Sequence, residues 1–314
     1  MHFDKNYFKG EERDGFYIKS MMKRAWAAQL EILQEIDRIC QRNNIEYFVS
    51  CGTLLGAIRH GGYIPWDDDL DIEMKRLDYE RFLKVAEKEL SEGYEMANPI
   101  MDSKWNLPFS RILNTTEIPL YGERLQQFHG FPMQAGVDIF PLDYLPDDNT
   151  EEELMLNMFR VTYMLARSWD KDEMSEEEKM ENLKAVEIFC NVKFTQDKPY
   201  QQQLWMLADR ISAMYWDANA NTKELSMIYL LENRPDFRIP ASCYRYAERV
   251  PFENTMVPVP VDYEKVLTVH YGKDYMTPKR AGAAHEYPFY KEQQKMLEKY
   301  YKENNLEIPK ELLE

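Results

Sequence analysis

The chain has 314 residues, of which 44% are hydrophobic and 30% charged, and its formal net charge is −16. This apolar content is sufficient for a substantial core, in one large domain or two closely packed ones. The acidic balance argues against nucleic acid as a partner, because phosphate backbones require clustered Lys and Arg, and it disfavours an anionic membrane surface. The sequence has neither an apolar run near ~18 residues nor a hydrophobic signal core, which predicts a soluble cytoplasmic protein.

The first 150 residues alternate helical and strand patterns. Apolar residues at helical spacing and short β-forming runs define the elements. The predicted helices cover residues 18–42, 53–59 and 77–91, and the predicted strands cover residues 45–50, 69–74, 109–113 and 136–140. This alternation indicates an α+β or α/β fold with a sheet flanked by helices.

The region after residue 150 is predicted to be mostly helical. Thr150 with Glu153, and Ser175 with Glu178, have the spacing of a capping box, in which a Ser or Thr starts a helix and a Glu three positions later completes the cap. The amphipathic stretches lie at about 150–168, 175–191, 199–216 and 222–232.

The last 80 residues return to β-forming and Pro-rich sequence before a final helix. Residues 256–260 predict a strand, Asp262 is expected to cap a helix that ends at Gly272, and residues 287–303 predict the last helix. The expected organisation is a catalytic core over 1–150, a helical insertion or subdomain over 151–233, and a C-terminal segment over 234–314 that packs back on the core.

The segment 51–74 carries the strongest functional signal. Four aspartates lie within five positions, and from Asp69 to Met74 acidic and apolar residues alternate. On a strand this places Asp69 and Asp71 on one face and the apolar residues in the core. Adjacent carboxylates repel unless a cation or proton is shared, and Mg²⁺ or Mn²⁺ prefers oxygen ligands of this kind. The alternatives are a solvated acidic loop and an adventitious Ca²⁺ site.

Four further aspartates have separate expectations. Asp138 is the best third carboxylate, because an acid in a strongly apolar strand requires compensation; the alternative is a buried Asp paired to an Arg. Asp67 is expected to be a further metal ligand or to orient one. Asp68 is expected to face away from Asp67 and Asp69, and Asp143, which follows Pro141, to cap a turn.

Basic residues are scarce near these acids. Arg59 is expected either to bind a phosphate or to pair with an aspartate. For Arg111, substrate contact and surface placement are about equally expected. His60 is expected to be a loop histidine and His285 to lie in a surface tail, and their roles stay open. Trp66 is expected to pack under the loop, although it would also suit a cationic head group.

The start of the short helix at 53–59 is a candidate anion site. Its Gly52-Thr53 entry exposes backbone N–H groups that would face a ligand, and nucleotide phosphates are the natural occupant. Gly52, Thr53 and Leu54 are therefore the candidate phosphate-binding residues.

These motifs resemble the LicD family, which includes bacterial phosphocholine transferases and, more distantly, fukutin-type enzymes. The similarity covers roughly residues 45–290 and is dense up to 145. It is carried by GTLLGA at 52–57, RH at 59–60, IPWDDDLDI at 64–72, VDIFPLD at 137–143, Leu267, Tyr271-Gly272 and Tyr275-Met276. The resemblance implies a nucleotidyltransferase-like fold with Asp69, Asp71 and Asp138 as the catalytic and metal-binding residues.

The resemblance also implies a reaction. An enzyme of this kind would transfer a phospho-alcohol, with phosphocholine as the leading example, from a CDP-alcohol donor such as CDP-choline to a hydroxyl of a glycan or glycolipid, and release CMP. A teichoic acid or lipopolysaccharide acceptor would bring it transiently to membrane-bound glycan machinery from the bacterial cytosol. The alternatives are a true nucleotidyltransferase that releases pyrophosphate from a nucleoside triphosphate, and a non-catalytic glycan-binding scaffold. The sequence identifies neither the alcohol nor the acceptor.

Overall fold

The computed structural model describes residues 1–114, 123–171, 174–215, 223–280 and 287–308. It confirms the α+β class: a mixed sheet is flanked by helices, and the second half is mostly helical. Within the described residues, each helix is too short or too polar to cross a lipid bilayer.

The helices and strands within these ranges are as follows. The helices are α1 (Ser20–Asn43), α2 (Cys51–Arg59), α3 (Arg76–Glu89), α4 (Glu123–Gln127), α5 (Asn149–Ser168), α6 (Glu176–Cys190), α7 (Tyr200–Ser212), α8 (Ile228–Leu231), α9 (Tyr263–Tyr271) and α10 (Lys291–Glu303), with a short 3-10 helix at Ala241–Tyr244. The strands are β1 (Glu11–Arg13), β2 (Phe16–Ile18), β3 (Phe48–Val49), β4 (Asp71–Lys75), β5 (Glu95–Ala97), β6 (Ser110–Leu113), β7 (Gly136–Tyr144), β8 (Glu224–Ser226), β9 (Ile239–Pro240), β10 (Ala247–Phe252) and β11 (Thr255–Pro260).

The central sheet brings the two acidic strands side by side. Its order among the described strands is β3-β4-β7-β6-β5, with β8 paired to the end of β7 and β9 paired to β8. Strands β4 and β7 are parallel, and Asp71 lies opposite Asp138 in their register. The other pairs are antiparallel, including the separate hairpins β1–β2 and β10–β11.

Strand β7 runs longer than expected and corrects the prediction for Asp143. The strand continues through Pro141, and Asp143 is buried inside it rather than capping a turn. Pro141 is tolerated because β6 pairs with β7 only as far as Ile139 and β8 joins at Asp143, so the missing N–H falls in the gap between them.

Arg76 is the centre of a buried ion-pair group that includes Asp143. Arg76 of α3 donates from Nε to Asp143 Oδ1 at 2.6 Å and from Nη2 to Oδ2 at 3.0 Å. The same guanidinium donates from Nη1 to Asp209 of α7 at 2.8 Å. One buried arginine therefore joins the sheet to the helical region, and removing it would leave a carboxylate buried without its partner.

The helices of the second half have a hydrophobic cluster of their own. It includes Met155, Phe159 and Leu204 of α5 and α7. The capping box at Ser175 is confirmed for α6, whereas Asp148, not Thr150, caps α5. The helix predicted over 222–232 is wrong, because the chain there forms β8 and then the short α8. The boundaries 1–150, 151–233 and 234–314 stay a prediction.

Candidate active site

Three consecutive carboxylates form the centre of the site. Asp67, Asp68 and Asp69 each offer one oxygen that lies within 4.8 Å of the others, and among the described residues this is the group of acids able to hold a metal ion. The expectation that Asp68 faces away is wrong because strand alternation does not apply there: β4 begins only at Asp71. Residues 67–70 form an acidic loop without regular secondary structure.

Helix α1 holds the backbone of this acidic loop. Trp26 Nε1 donates to the Asp67 carbonyl at 3.1 Å, and Gln29 Nε2 donates to the Asp68 carbonyl at 2.9 Å. The Gln29 amide is itself fixed by the Tyr63 hydroxyl, which donates to its oxygen at 3.0 Å. A signal for this role was present in the sequence, since Gln29 is a polar residue one turn from Trp26 on the buried side of an amphipathic helix.

The Gly-Thr turn is fitted closely to the acids. A side chain at Gly52 would place its Cβ 2.2 Å from Asp67 Oδ2, so a larger residue would displace this carboxylate. Thr53 Oγ1 accepts a hydrogen bond from the N–H of Asp71 at 2.9 Å, which fixes the helix start to the first residue of β4.

The helix start is only partly available to an anion. The Leu54 N–H is bonded to the Ser50 carbonyl at 2.9 Å, so Leu54 belongs to the internal hydrogen bonding of α2 and does not fit the expected phosphate-binding role. The N–H groups of Gly52 and Thr53 lie in the first turn, where an α-helix supplies no internal partner. These two remain candidates for a phosphate.

The electrostatics of the site call for a cation. Burial, reinforced by the charge of Asp69, raises the pKa of both Asp67 and Asp71 well above the usual range of an aspartate. An all-oxygen donor set with this excess of negative charge fits a hard divalent ion such as Mg²⁺ or Mn²⁺. Asp67, Asp68 and Asp69 offer oxygens for such an ion, and Asp71 follows them as the first residue of β4.

Asp138 lies next to Asp71 but is already paired. Arg111 of β6 donates to both of its carboxylate oxygens, with Nη2 2.8 Å from Oδ2. The alternative of an Arg-paired aspartate is therefore the observed one. The pair is not sealed in the core, because the Arg111 side chain is 33% exposed. Arg111, Asp138 and Asp69 line a cleft of about 350 Å³, so Arg111 is not a plain surface residue.

The hydrogen bonds of Arg59 and His60 go to residues outside the acidic site. Arg59 Nη1 donates to the Tyr275 carbonyl at 2.7 Å, and its Nε donates to His60 Nδ1 at 3.3 Å. His60 Nε2 lies 3.4 Å from Asp14 Oδ2, and burial lowers the pKa of His60. Both residues tie α2 to neighbouring segments. His285 lies outside the described residues.

Two contacts at the site had no signal in the local sequence. Glu73 is buried behind Asp71 and accepts hydrogen bonds from Ser50 Oγ at 2.7 Å and from the Tyr244 hydroxyl at 2.6 Å. Asp68 Oδ2 accepts from the Phe289 N–H at 2.6 Å. The hydrogen bonds from Tyr244 and Phe289 tie β4 and the acidic loop to the C-terminal part of the chain, whose residues are distant in sequence.

Comparison with known proteins adds a family to this geometry. Residues 44–121 match the model described as LicD/FKTN/FKRP, nucleotidyltransferase domain. The chain is 49% identical over 67 residues to the lipopolysaccharide cholinephosphotransferase LicD of Haemophilus influenzae, which covers 21% of this chain and 25% of that protein.

Two uncharacterised Rickettsia proteins match at lower identity. The R. typhi protein is 38% identical over 66 residues, 21% of each chain, and the R. prowazekii protein is 36% identical over 67 residues, 21% of this chain and 25% of that one. The matches thus cover about a quarter or less of the length of these relatives. The matched segment contains α2, the acidic loop and β4. Residues 44–121 of this chain are therefore similar to the LicD/FKTN/FKRP nucleotidyltransferase domain.

Proposed function

We propose that this protein is a metal-dependent transferase that moves a phospho-alcohol, phosphocholine first among them, from a CDP-activated donor to a glycan hydroxyl and releases CMP. The observation that carries the proposal is the contact of the α2 start with the acids: Gly52 admits the Asp67 carboxylate, and Thr53 binds the backbone of Asp71. Phosphate-binding N–H groups and cation-binding carboxylates thereby meet at one point. The similarity to a lipopolysaccharide cholinephosphotransferase supports the choice of donor.

The acidic residues have two roles in this proposal. Asp67, Asp69 and Asp71 are the proposed ligands of a Mg²⁺ or Mn²⁺ ion, and Asp68 offers a further oxygen within 4.8 Å of those of Asp67 and Asp69. When bound, such an ion supplies neutralisation of diphosphate charge. Asp138 is proposed either to contact the same ion or to accept the proton of the attacking hydroxyl. Its position supports this proposal, because it lies beside Asp71 where β4 and β7 pair.

Arg111 is the proposed phosphate contact on the other side of the cleft. Its pair with Asp138 uses Nε and Nη2, so Nη1 is the nitrogen that would meet a phosphate oxygen. The pair also holds the guanidinium in one orientation, which reduces the entropy lost on binding. Arg59 is not proposed for this role, because its guanidinium is engaged by Tyr275 and His60.

The donor test uses phosphorus NMR. The full chain is incubated with Mg²⁺ and one donor at a time. The donors are CDP-choline, CDP-ribitol, CDP-glycerol, CTP and ATP. The expected products from CDP-choline are CMP and phosphocholine without an acceptor, since water replaces the hydroxyl at the phosphorus nearer choline. Pyrophosphate from a triphosphate, with no CMP from any CDP-alcohol, would reject the proposal in favour of nucleotidyl transfer, which the description of the matched domain keeps as the second candidate.

Asp71→Asn tests whether the acids do the chemistry. The side chain keeps its size, and the raised pKa of Asp71 means that the fold already favours a neutral group there, so the variant is expected to fold. CMP release should fall by about a thousandfold, which corresponds to ~4 kcal/mol of barrier. Asp236→Asn, at an exposed position, is the matched control and should keep full activity. Near-normal turnover of Asp71→Asn at saturating Mg²⁺ would contradict the site.

A further inference from the structure

Three half-buried aromatic side chains form a surface beside the acidic loop. The Phe16 ring lies 6.4 Å from the Trp66 ring and 5.8 Å from the Tyr287 ring, edge to face in both cases. The rings come from β2, from the residue before Asp67, and from the C-terminal segment. We call these three side chains the aromatic surface. All three side chains are partly exposed.

A cation lies on this aromatic surface in the structure. The guanidinium carbon of Arg280 is 5.3 Å from the Trp66 ring centre and 5.6 Å from that of Phe16. Its Nη2 donates to the carbonyls of Asp14 at 3.0 Å and Gly15 at 2.8 Å. Both turn residues have positive φ, 50° and 68°, as a tight β1–β2 hairpin requires. The place thus has the geometry and the charge preference of a cation site.

The position of the aromatic surface fits one end of the proposed donor. Trp66 is bonded to Asp67, so its Cα lies about 3.8 Å from that of the first acid of the loop. The Phe289 N–H donates to Asp68 Oδ2 at 2.6 Å, which brings the segment that carries Tyr287 to the same acids. The aromatic surface is therefore next to the place where the phosphate of the proposed donor would be held.

We propose that the aromatic surface is a binding site for a quaternary ammonium group, the trimethylammonium end of a choline ester, and that Arg280 occupies this site until the ligand displaces it. The inference rests on the proposed function for the choice of donor, but the cation site itself is argued from the rings and the arginine. Phe16 and Trp66 bind the methylated cation through their faces. Arg280 is exposed, so its side chain can move into solvent when it is displaced.

The rings favour a quaternary ammonium group over other alcohol ends. A trimethylammonium group has no N–H donor and is weakly hydrated, so aromatic faces replace water at little cost. A primary ammonium would have to exchange its water for the Asp14 and Gly15 carbonyls. A polyol such as ribitol carries no charge for the rings to attract.

The test measures binding of choline chloride and tetramethylammonium chloride to the full chain by NMR of their methyl signal, at constant ionic strength and without nucleotide. Arg280→Gln removes the competing cation and should lower the Kd for choline by at least about threefold. Phe16→Leu should raise that Kd by at least about threefold, because it removes one ring face. Ethanolamine should bind more weakly than choline to the wild type.

Matched controls separate the rings from general effects. Lys279→Gln makes the same charge change one residue away, where the lysine pairs with Asp274 instead of a ring. Phe189→Leu repeats the ring change on α6, at a side chain that is 46% exposed. Both should leave the Kd for choline unchanged. Folding of each variant is checked by circular dichroism and a denaturation midpoint.

Failure of this inference is distinct from failure of the proposed function. Any one of four outcomes would overturn the cation site. The Kd for choline could be unchanged or raised in Arg280→Gln, or Phe16→Leu and Phe189→Leu could change it equally. Alternatively, ethanolamine could bind as tightly as choline, or neither methylated cation could bind. These outcomes need no donor turnover. Conversely, the expected binding pattern with no CMP from CDP-choline would leave the cation site standing and reject phosphocholine transfer.

Discussion

The most direct test of the electrostatics concerns a histidine outside the acidic site. The ring Nε2 of His270, in α9, is buried and has no hydrogen-bond partner among the residues that the structure describes. The ring packs edge to face with Phe237 at 4.7 Å, and the Arg234 guanidinium donates to the His270 carbonyl at 3.1 Å. Burial, followed by the charge of Arg234, lowers the pKa of His270 from 6.5 to about 3. The perturbation is His270→Phe, which keeps an aromatic ring and removes the titration.

The sign of the effect follows from the lowered pKa. Above pH 6.5 the histidine is neutral in both states and the folded protein bears no penalty; as the pH falls below 6.5 towards 3, the unfolded chain binds a proton that the folded chain excludes. At pH 5 this corresponds to a loss of about 2 kcal/mol of unfolding free energy. Glu73, whose pKa burial raises to about 7, acts in the opposite direction, so the comparison is between wild type and variant at each pH.

Urea denaturation at pH 7.5 and pH 5.0 measures the difference. The stability of His270→Phe relative to wild type should improve by about 2 kcal/mol between the two pH values. His129→Phe is not a suitable control, because His129 pairs with Glu31; His2, near the N-terminus, serves as His2→Phe. An identical pH dependence in wild type and His270→Phe would refute the argument that this ring is held neutral.

Two further predictions concern packing. Arg76→Met leaves Asp143 buried without its partner and should lower the unfolding free energy by about 3–5 kcal/mol, whereas Arg160→Met, which breaks the pair of a 49% exposed arginine with Glu232, should cost under ~1 kcal/mol; equal losses in urea denaturation would contradict the buried assignment. Gly52→Ala should displace the Asp67 carboxylate, since the new Cβ would lie 2.2 Å from Oδ2. The variant should fold, and its CMP release should fall by at least about tenfold. Unchanged turnover would show that Asp67 is dispensable.

The helices were predictable because their signals are local. The apolar stripe of the first helix predicted residues 18–42, and α1 spans Ser20–Asn43 and ends where Asn44 adopts a left-handed φ of 50°. The capping box at Ser175 gave the start of α6. Periodicity and caps depend on residues within a few turns, so the local sequence contains the information that sets these helix boundaries.

The register of the acids was not predictable, because distant residues set it. Alternation alone extended the strand back to Asp69. In the structure the strand starts at Asp71, and the carbonyls of Asp67 and Asp68 are held by Trp26 and Gln29 of α1 instead of a neighbouring strand. The helix predicted over 222–232 failed for the same reason, since residues 224–226 are drawn into the sheet by pairing with the end of β7.

Asp138 shows how far chemistry can be inferred from a single strand. Its apolar neighbours indicated that the acid must be compensated, and that inference was confirmed by the pair with Arg111. Whether compensation would come from a metal or an arginine depended on which residue of β6 lies opposite, and the register Arg111–Asp138 is a property of the sheet. Local sequence therefore predicts the need for a partner but not its identity.

The anchoring of the acidic loop also bears on the scaffold alternative. Holding Asp67, Asp68 and Asp69 within reach of one another is unfavourable, because each charge repels the next and burial disfavours the charged form of Asp67. A loop free to relax would separate them. Here α1 fixes the loop backbone, Gly52 leaves space for one carboxylate, and the Phe289 N–H binds another. A glycan-binding scaffold would gain stability by losing this arrangement, whereas an enzyme that uses a cation requires it, and we therefore favour catalysis over a scaffold role.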